Sequence, residues 1–115
     1  MKEFLLIYRA DYDTYPTIRR SPEEMQAITQ KWMSWTAGIA TQGKLADRGN
    51  SLVSSGKVMK SNGSVSDGPY TEIKESIMGY SLVKASSIEE AMELADGCPI
   101  LSVGGSIEIR EIRAI

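Results

Sequence analysis

The sequence contains no histidine, and Cys98 is the only cysteine among its 115 residues. Histidine is the usual general base near neutral pH and the commonest transition-metal ligand. Its absence excludes a Ser-His-Asp or Cys-His centre within one chain, and a single cysteine excludes an internal disulfide. We therefore predict no resident transition metal and no cofactor. We interpret Cys98, which lies in Gly97-Cys98-Pro99, as a small half-buried apolar residue following a helix.

An excess of basic charge and a long apolar run are also missing. The net charge is -2 and no basic patch stands out, so we expect no direct nucleic-acid binding. The apolar run from Phe4 to Tyr8 is too short for a membrane span or a signal-peptide core. We expect a cytoplasmic protein without membrane association. The length fits one domain over residues 1–115.

Two helices are predicted from capping residues and apolar spacing. Ser21, Pro22 and Glu24 form a helix start, and a helix is predicted over about residues 22–42. Its apolar residues recur at helical spacing and include two tryptophans that we assign to core packing: Met25, Ile28, Trp32, Trp35 or Thr36, and Ile39. A second helix is predicted from Ser86 or Ser87 to the stop at Gly97-Cys98-Pro99. Its predicted apolar stripe is Ile88, Ala91, Met92 and Ala95.

The remaining patterns predict strands and a hairpin. Residues 3–9 form a continuous apolar run, which favours a strand buried on both faces. Residues 77–84 predict a strand with Met78, Tyr80 and Leu82 on one face, where Gly79 indicates a bulge or a close backbone approach. Asn62-Gly63 lies between two short alternating runs and predicts a hairpin. Short strands are also predicted over residues 50–54 and 106–113.

This order of elements predicts an α+β fold. It is a ferredoxin-like (split βαβ) sheet with two helices on one face and an extra β-hairpin. Two helices cannot cover both faces, yet the first strand is apolar at every position from Phe4 to Tyr8. We therefore expect a homodimer that joins through the uncovered sheet faces.

The run from Ser66 to Glu75 combines a turn with charged residues. A turn requires Gly68 and Pro69, but it does not require Glu72, Lys74 and Glu75 directly behind them. Two interpretations of Asp67 remain open: it bonds backbone N–H groups within the turn, or it is a carboxylate at a pocket mouth that acts as a base once burial raises its pKa. Lys74 either pairs with Glu75 on the solvated surface, or holds an anionic ligand or Asp67 itself in the pocket.

Other candidate ligand-binding residues are aromatic or basic. Tyr8, Tyr70 and Tyr80 fall on predicted strands or turns, where they either line a cavity or fill the core. Arg48 follows Asp47 in a loop and is a candidate partner for a ligand carboxylate.

The block Asp67-Gly68-Pro69-Tyr70 resembles the signature of the YCII-related (DGPF) domain family, with Tyr70 in place of the Phe of that motif. The resemblance extends over residues 4–8, 21–25, 67–75, 79–80, 87–91, 98–99 and 104–110. It implies a dimeric α/β-barrel of ferredoxin-like domains and a pocket near Asp67. Some family members are considered enzymes that act through an Asp and a His; others resemble proteins associated with alternative sigma factors.

Two hypotheses for function follow. The chain is a small-molecule-binding protein or enzyme, with Asp67 as the acid-base residue assisted by Lys74 and the pocket tyrosines. Alternatively, it is a non-catalytic interaction or regulatory module linked to transcription. The ionisable motif favours the first hypothesis, and the missing histidine favours the second.

Overall fold

A computed structural model describes residues 1–11, 21–68 and 75–115. Within these residues the elements are β1 (Lys2–Ala10), α1 (Pro22–Thr41), β2 (Leu45–Asp47), β3 (Gly56–Met59), β4 (Val65–Gly68), β5 (Ser76–Ala85), α2 (Ile88–Ala95), a 3-10 helix (Pro99–Val103) and β6 (Ser106–Glu111). The described strands form an antiparallel sheet in the order β2-β5-β1-β6 and a separate hairpin, β3-β4. The predicted α+β, ferredoxin-like arrangement with an added hairpin is confirmed.

The core lies on one face of the sheet. Alternate residues of β1 are buried, namely Phe4, Leu6, Tyr8 and Ala10. They form one cluster with Val83 of β5, Ile39 of α1, and Ala91 and Leu94 of α2, so both helices cover the same face. Burying apolar side chains of this size stabilises a fold by about 1.5–3 kcal/mol each. The sheet is therefore held mainly by its helix-covered face.

The opposite face, here called the outer face, is only half buried. Leu5 pairs with Leu82, and Ile7 pairs with Tyr80, across β1 and β5. All four side chains are of intermediate exposure, and the alternation along β1 places them away from the helices. The prediction that β1 is buried on both faces is therefore wrong for the single chain. A homodimer through this face remains a prediction.

Both helices begin at the predicted serine caps. The Ser21 hydroxyl accepts a hydrogen bond from the Glu24 N–H at 3.2 Å, and the Ser87 hydroxyl accepts one from the Glu90 N–H at 3.2 Å. The predicted stripe of α2 needs correction. Ala91, Leu94 and Ala95 are its buried residues, whereas Ile88 and Met92 are exposed. The side of α2 that meets the core is centred on Ala91, Leu94 and Ala95, and the predicted stripe is rotated about the helix axis relative to this buried side.

The hairpin β3-β4 is also confirmed. Its turn is closed by Gly63, with a φ of 87°, and by the Asn62 side chain, whose Oδ1 accepts from the Ser64 N–H at 2.9 Å. The strand predicted over residues 50–54 is wrong. The strand that pairs with β5 comes earlier, as β2, and Ser51 forms only an isolated bridge to Gly79.

Candidate functional site

An open cleft of about 540 Å³ lies between α1 and β5. Most of its lining is apolar. Its lining residues are Tyr8, Met25, Ile28, Thr29, Trp32, Met33, Thr36, Arg48, Gly49, Asn50, Ser51, Leu52, Met78, Gly79, Tyr80, Ser81 and Ile100. The predicted apolar stripe of α1 therefore divides. Ile39 packs into the core, whereas Met25 and Ile28 face the cleft.

One wall of the cleft is a segment laid directly along β5. The Tyr80 N–H donates to the Asn50 carbonyl at 3.1 Å, and the Leu52 N–H donates to the Met78 carbonyl at 2.8 Å. This close approach requires glycine. A Cβ at Gly79 would lie 2.7 Å from the Asn50 carbonyl oxygen.

Gly49 begins the same wall and is held in a positive-φ conformation. Its φ is 74°, and a Cβ there would overlap the Tyr80 carbonyl oxygen. The Gly49 N–H donates to the Asp47 carboxylate at 2.8 Å, which stabilises the turn. Glycines thus bring the wall against the strand.

The bulge predicted at Gly79 is present. The pairing register of β1 and β5 shifts between Tyr8 and Arg9, so that Met78 has no partner across the ladder. Met78 consequently packs against the core and lines the cleft. The prediction that Met78 shares a face with Tyr80 and Leu82 is therefore wrong, because the extra residue of the bulge reverses the alternation.

An aromatic cluster lies beside the cleft and contributes Tyr8 and Trp32 to its lining. The Tyr8 ring meets Trp32 edge-on at a centroid distance of 5.0 Å, and Trp32 meets Trp35 edge-on at 5.8 Å. Both tryptophans pack against the core, as predicted. Trp35 is fixed by a hydrogen bond from its Nε1 to the Leu94 carbonyl at 3.0 Å and does not line the cleft. Trp32 is half-buried and supplies the aromatic surface of the cleft.

Buried hydroxyls supply the polar groups of the floor. The Tyr8 hydroxyl donates to the Ser81 hydroxyl at 2.7 Å, and Ser81 donates to the Arg48 carbonyl at 2.6 Å. Tyr8 is only 4% exposed and Ser81 only 2%. Burial raises the pKa of the Tyr8 phenol well above its ordinary value, against a smaller lowering by its hydrogen bond to Ser81. The phenol therefore stays neutral and serves as a hydrogen-bonding group rather than as a base.

Three of the predicted site residues border this cleft, namely Tyr8, Arg48 and Tyr80. Tyr8 points to the helix-covered face, whereas Tyr80 pairs with Ile7 and belongs to the outer face. Tyr80 therefore contributes its strand backbone rather than its ring. Of the other three predicted residues, Tyr70 and Lys74 lie outside the described residues.

Asp67 lies on β4 and does not line the cleft. It is directly opposite Lys57 in the hairpin ladder, and the two side chains form an ion pair. The Asp67 side chain is 84% exposed. Its proton-transfer role remains a prediction.

Sequence reasoning missed Ser81 and Gly49. A signal for Ser81 was available, because a serine between Gly79 and Val83 falls on the inward face of an otherwise apolar strand. Buried hydroxyls of this kind need partners. Gly49 follows Asp47 by two residues, a spacing at which an aspartate commonly bonds the backbone.

Potential metal and thiol chemistry is limited in the described part of the chain. There, no three or more His, Cys, Asp or Glu side chains gather into a group that could hold a metal ion. Cys98 is buried rather than half-buried, and burial raises its pKa to about 12, so it is a protonated thiol at neutral pH. Neither described helix is both long enough and apolar enough to cross a bilayer.

Comparison with known proteins assigns the family. A search of curated proteins finds no match to this chain. The sequence model of the YCII-related domain matches residues 1–115, the whole of this chain. The chain belongs to the YCII-related domain family.

Proposed function

We propose that this protein binds a small, mainly apolar molecule in the cleft between α1 and β5. The observation that carries the proposal is the combination of an aromatic wall at Trp32 with buried, hydrogen-bonded hydroxyls at Tyr8 and Ser81. Ligand sites typically have volumes of about 300–1,000 Å³ and a mostly apolar lining with a few fixed polar groups. A cleft of about 540 Å³ falls within that range.

Two methionines of α1 give further support. Met25 and Met33 are exposed apolar side chains on the cleft side of the helix. Methionine side chains adapt to irregular shapes and recur at adaptable binding surfaces. A ligand in the cleft would remove them from water, and this gain would contribute to its affinity.

Binding of naphthalene, an apolar probe without hydrogen-bonding groups, tests the proposal. We expect saturable binding at one site per chain, with amide chemical-shift changes at residues 48–52 and 79–81. Trp32→Ala should weaken binding about tenfold, because it removes the aromatic wall. Trp35→Phe is the matched control, since Trp35 belongs to the same cluster but does not line the cleft. Absence of saturable binding, or equal losses in both variants, would contradict the proposal.

A second candidate function is a non-catalytic interaction or regulatory module linked to transcription. The hairpin favours it. Met59 is 83% exposed and pairs in register with Val65, which is also exposed, so the hairpin presents an apolar pair to solvent. Such a pair would be buried by a protein partner. Gel filtration with purified sigma factors tests this. Complex formation that Met59→Ser abolishes, and that Met92→Ser on α2 leaves intact, would favour this function.

We further propose a homodimer through the outer face. Leu5, Ile7, Tyr80 and Leu82 form its apolar centre. Beside it, Glu108 accepts from Arg9 at 3.0 Å and from Arg110 at 3.2 Å. Charges of both signs at the edge of an apolar centre suit a self-complementary, two-fold interface.

Light scattering at micromolar concentration tests the dimer. We expect a dimer mass and an interface above about 1,000 Å². Ile7→Glu should give a folded monomer by circular dichroism, whereas Met92→Glu on the exposed side of α2 should leave the dimer intact. A monomeric wild-type protein would overturn this proposal.

A further inference from the structure

The floor of the cleft has a fixed hydrogen-bond direction, which begins at the Arg48 carbonyl. A carbonyl oxygen can only accept. The Ser81 hydroxyl lies 2.6 Å from it, so the single Ser81 proton is directed to Arg48. The contact of 2.7 Å between Tyr8 and Ser81 then needs a different proton, and the Tyr8 hydroxyl supplies it. The direction of both bonds follows from the carbonyl alone.

The third buried hydroxyl of the cleft is committed in the same way. Thr36 Oγ1 lies 3.0 Å from the Trp32 carbonyl and 3.1 Å from the Met33 carbonyl, and donates within the helix. Thus Tyr8, Ser81 and Thr36 all direct their protons at protein oxygens. What these hydroxyls can offer to a bound molecule is oxygen lone pairs.

Donors that border the cleft lie nearer to water. Arg48, Asn50 and Ser51 are exposed. Trp32, which carries an indole N–H, is only half-buried. Where a ligand does not pair with these exposed donors, water can take its place at little cost in free energy. The buried hydroxyls of the floor have no such substitute.

We propose that the cleft selects its ligand by hydrogen-bond polarity. The ligand class is a mainly apolar, ring-containing molecule with a hydroxyl or N–H donor directed at Tyr8 Oη. A ketone, ether or carboxylate in the same position would place its lone pairs against those of the floor. This inference rests on the proposed small-molecule function and specifies its ligand. Sites built around buried polar groups discriminate strongly against analogues that leave those groups unpaired.

The test compares 2-naphthol with 2-methoxynaphthalene at pH 7 by titration calorimetry. The two molecules share a ring system, and the second replaces the hydroxyl proton with a methyl group. The wild-type protein should bind 2-naphthol about tenfold more tightly, the effect of one buried hydrogen bond and of avoiding an unpaired acceptor. Equal affinities would overturn the inference and leave the cleft function standing. No binding of either molecule would overturn both.

Two variants separate polarity from size. Tyr8→Phe keeps the ring against Trp32 and removes the acceptor oxygen. The variant should therefore bind 2-naphthol and 2-methoxynaphthalene with about equal affinity. If the wild-type preference came instead from a clash with the extra methyl group, it would persist in Tyr8→Phe. An unchanged preference for 2-naphthol would therefore refute the inference.

Ser81→Ala provides the complementary test and serves if Tyr8→Phe does not fold. It leaves the Tyr8 proton without its acceptor, so Tyr8 becomes able to donate to the ligand. The affinity for 2-methoxynaphthalene should then rise several-fold while that for 2-naphthol changes little. If the affinity for the ether does not rise, the proposed direction of the hydrogen bonds is wrong.

Discussion

The cleft holds its candidate functional hydroxyls in buried surroundings, whereas the hairpin β3-β4 holds its candidate carboxylate in solvent. In the cleft, Tyr8 is buried, meets Trp32 edge-on and donates to Ser81. In the hairpin, Asp67 is exposed and pairs with Lys57 across an ordinary strand ladder. Burial makes hydrogen bonds selective because their loss is costly, while solvent competes with an exposed ion pair. An ionisable motif and a prepared binding environment therefore need not coincide in one chain.

The largest expected effect is the loss of stability on replacing a glycine of the cleft wall with alanine. The same replacement at a glycine of the hairpin turn is the comparison. Gly49 and Gly63 both have positive φ, but only at Gly49 would a Cβ overlap backbone, at the Tyr80 carbonyl. Gly49→Ala should destabilise by roughly 3 kcal/mol or more, and Gly63→Ala by about 1 kcal/mol from backbone strain alone. Urea melts measure the difference. Equal losses would mean that the wall moves away from β5 freely.

The next largest effect is a loss of folding stability at alkaline pH, which arises from the buried Cys98 thiol. Burial raises the pKa of Cys98 from 9.0 to about 12, so the folded state disfavours the thiolate. This contribution to stability is fully present below pH 9 and is lost as the pH rises toward 12. By pH 10 the loss should be about 1 kcal/mol.

Thermal melts between pH 8 and 10 test this linkage. Cys98→Ala should show a shallower decline of melting temperature than the wild type over that range. The melting temperature of the hairpin variant Met59→Ala should decline in parallel with that of the wild type. Parallel declines in all three proteins would show that the thiol is not protected by folding.

An effect of similar size concerns the N-terminal half of α1, which contributes Met25 and Ile28 to the cleft. Ser21→Ala removes the hydroxyl that accepts from the Glu24 N–H, and we expect a loss of about 1 kcal/mol. Urea midpoints and hydrogen exchange should be measured together. Faster exchange over residues 25–32 with an unchanged midpoint would show that this half opens independently of the core.

The smallest expected effect is in the hairpin. Asp67→Asn should change stability by less than about 0.5 kcal/mol, because exposed ion pairs contribute little. Its effect on ligand affinity decides between the two site predictions. Unchanged binding of 2-naphthol would agree with a site in the cleft, whereas a large loss would restore Asp67 to the centre of the function.

Much of the fold could be predicted because its signals are local. The serine caps, the hairpin at Asn62-Gly63 and the strand with a glycine bulge each follow from a few neighbouring residues, and each is present. The boundary of β2 could not be predicted in this way. Its pairing with β5 depends on a tertiary approach that three residues do not encode.

The candidate site was only partly predictable, for a related reason. Apolar residues at helical spacing show that a helix has an apolar face, but they do not show whether that face meets the core or an open cleft. Ile39 and Ile28 fit the same stripe and have these two different surroundings. Tyr8 was a candidate from its residue type, and Ser81 could be placed on the inward face of its strand, whereas the hydrogen bond between them became evident only from the pairing of β1 with β5.

The Arg48 carbonyl has a consequence for how relatives of this protein should be compared. Every amino acid carries that carbonyl, so replacing Arg48 would change the charge at the cleft mouth and leave the direction of the floor's hydrogen bonds intact. A family member could vary freely at position 48 and still prefer the same kind of ligand, provided that positions 8 and 81 keep their hydroxyls. The hydrogen-bond preference would then depend on the path of the main chain at position 48 and not on its side chain.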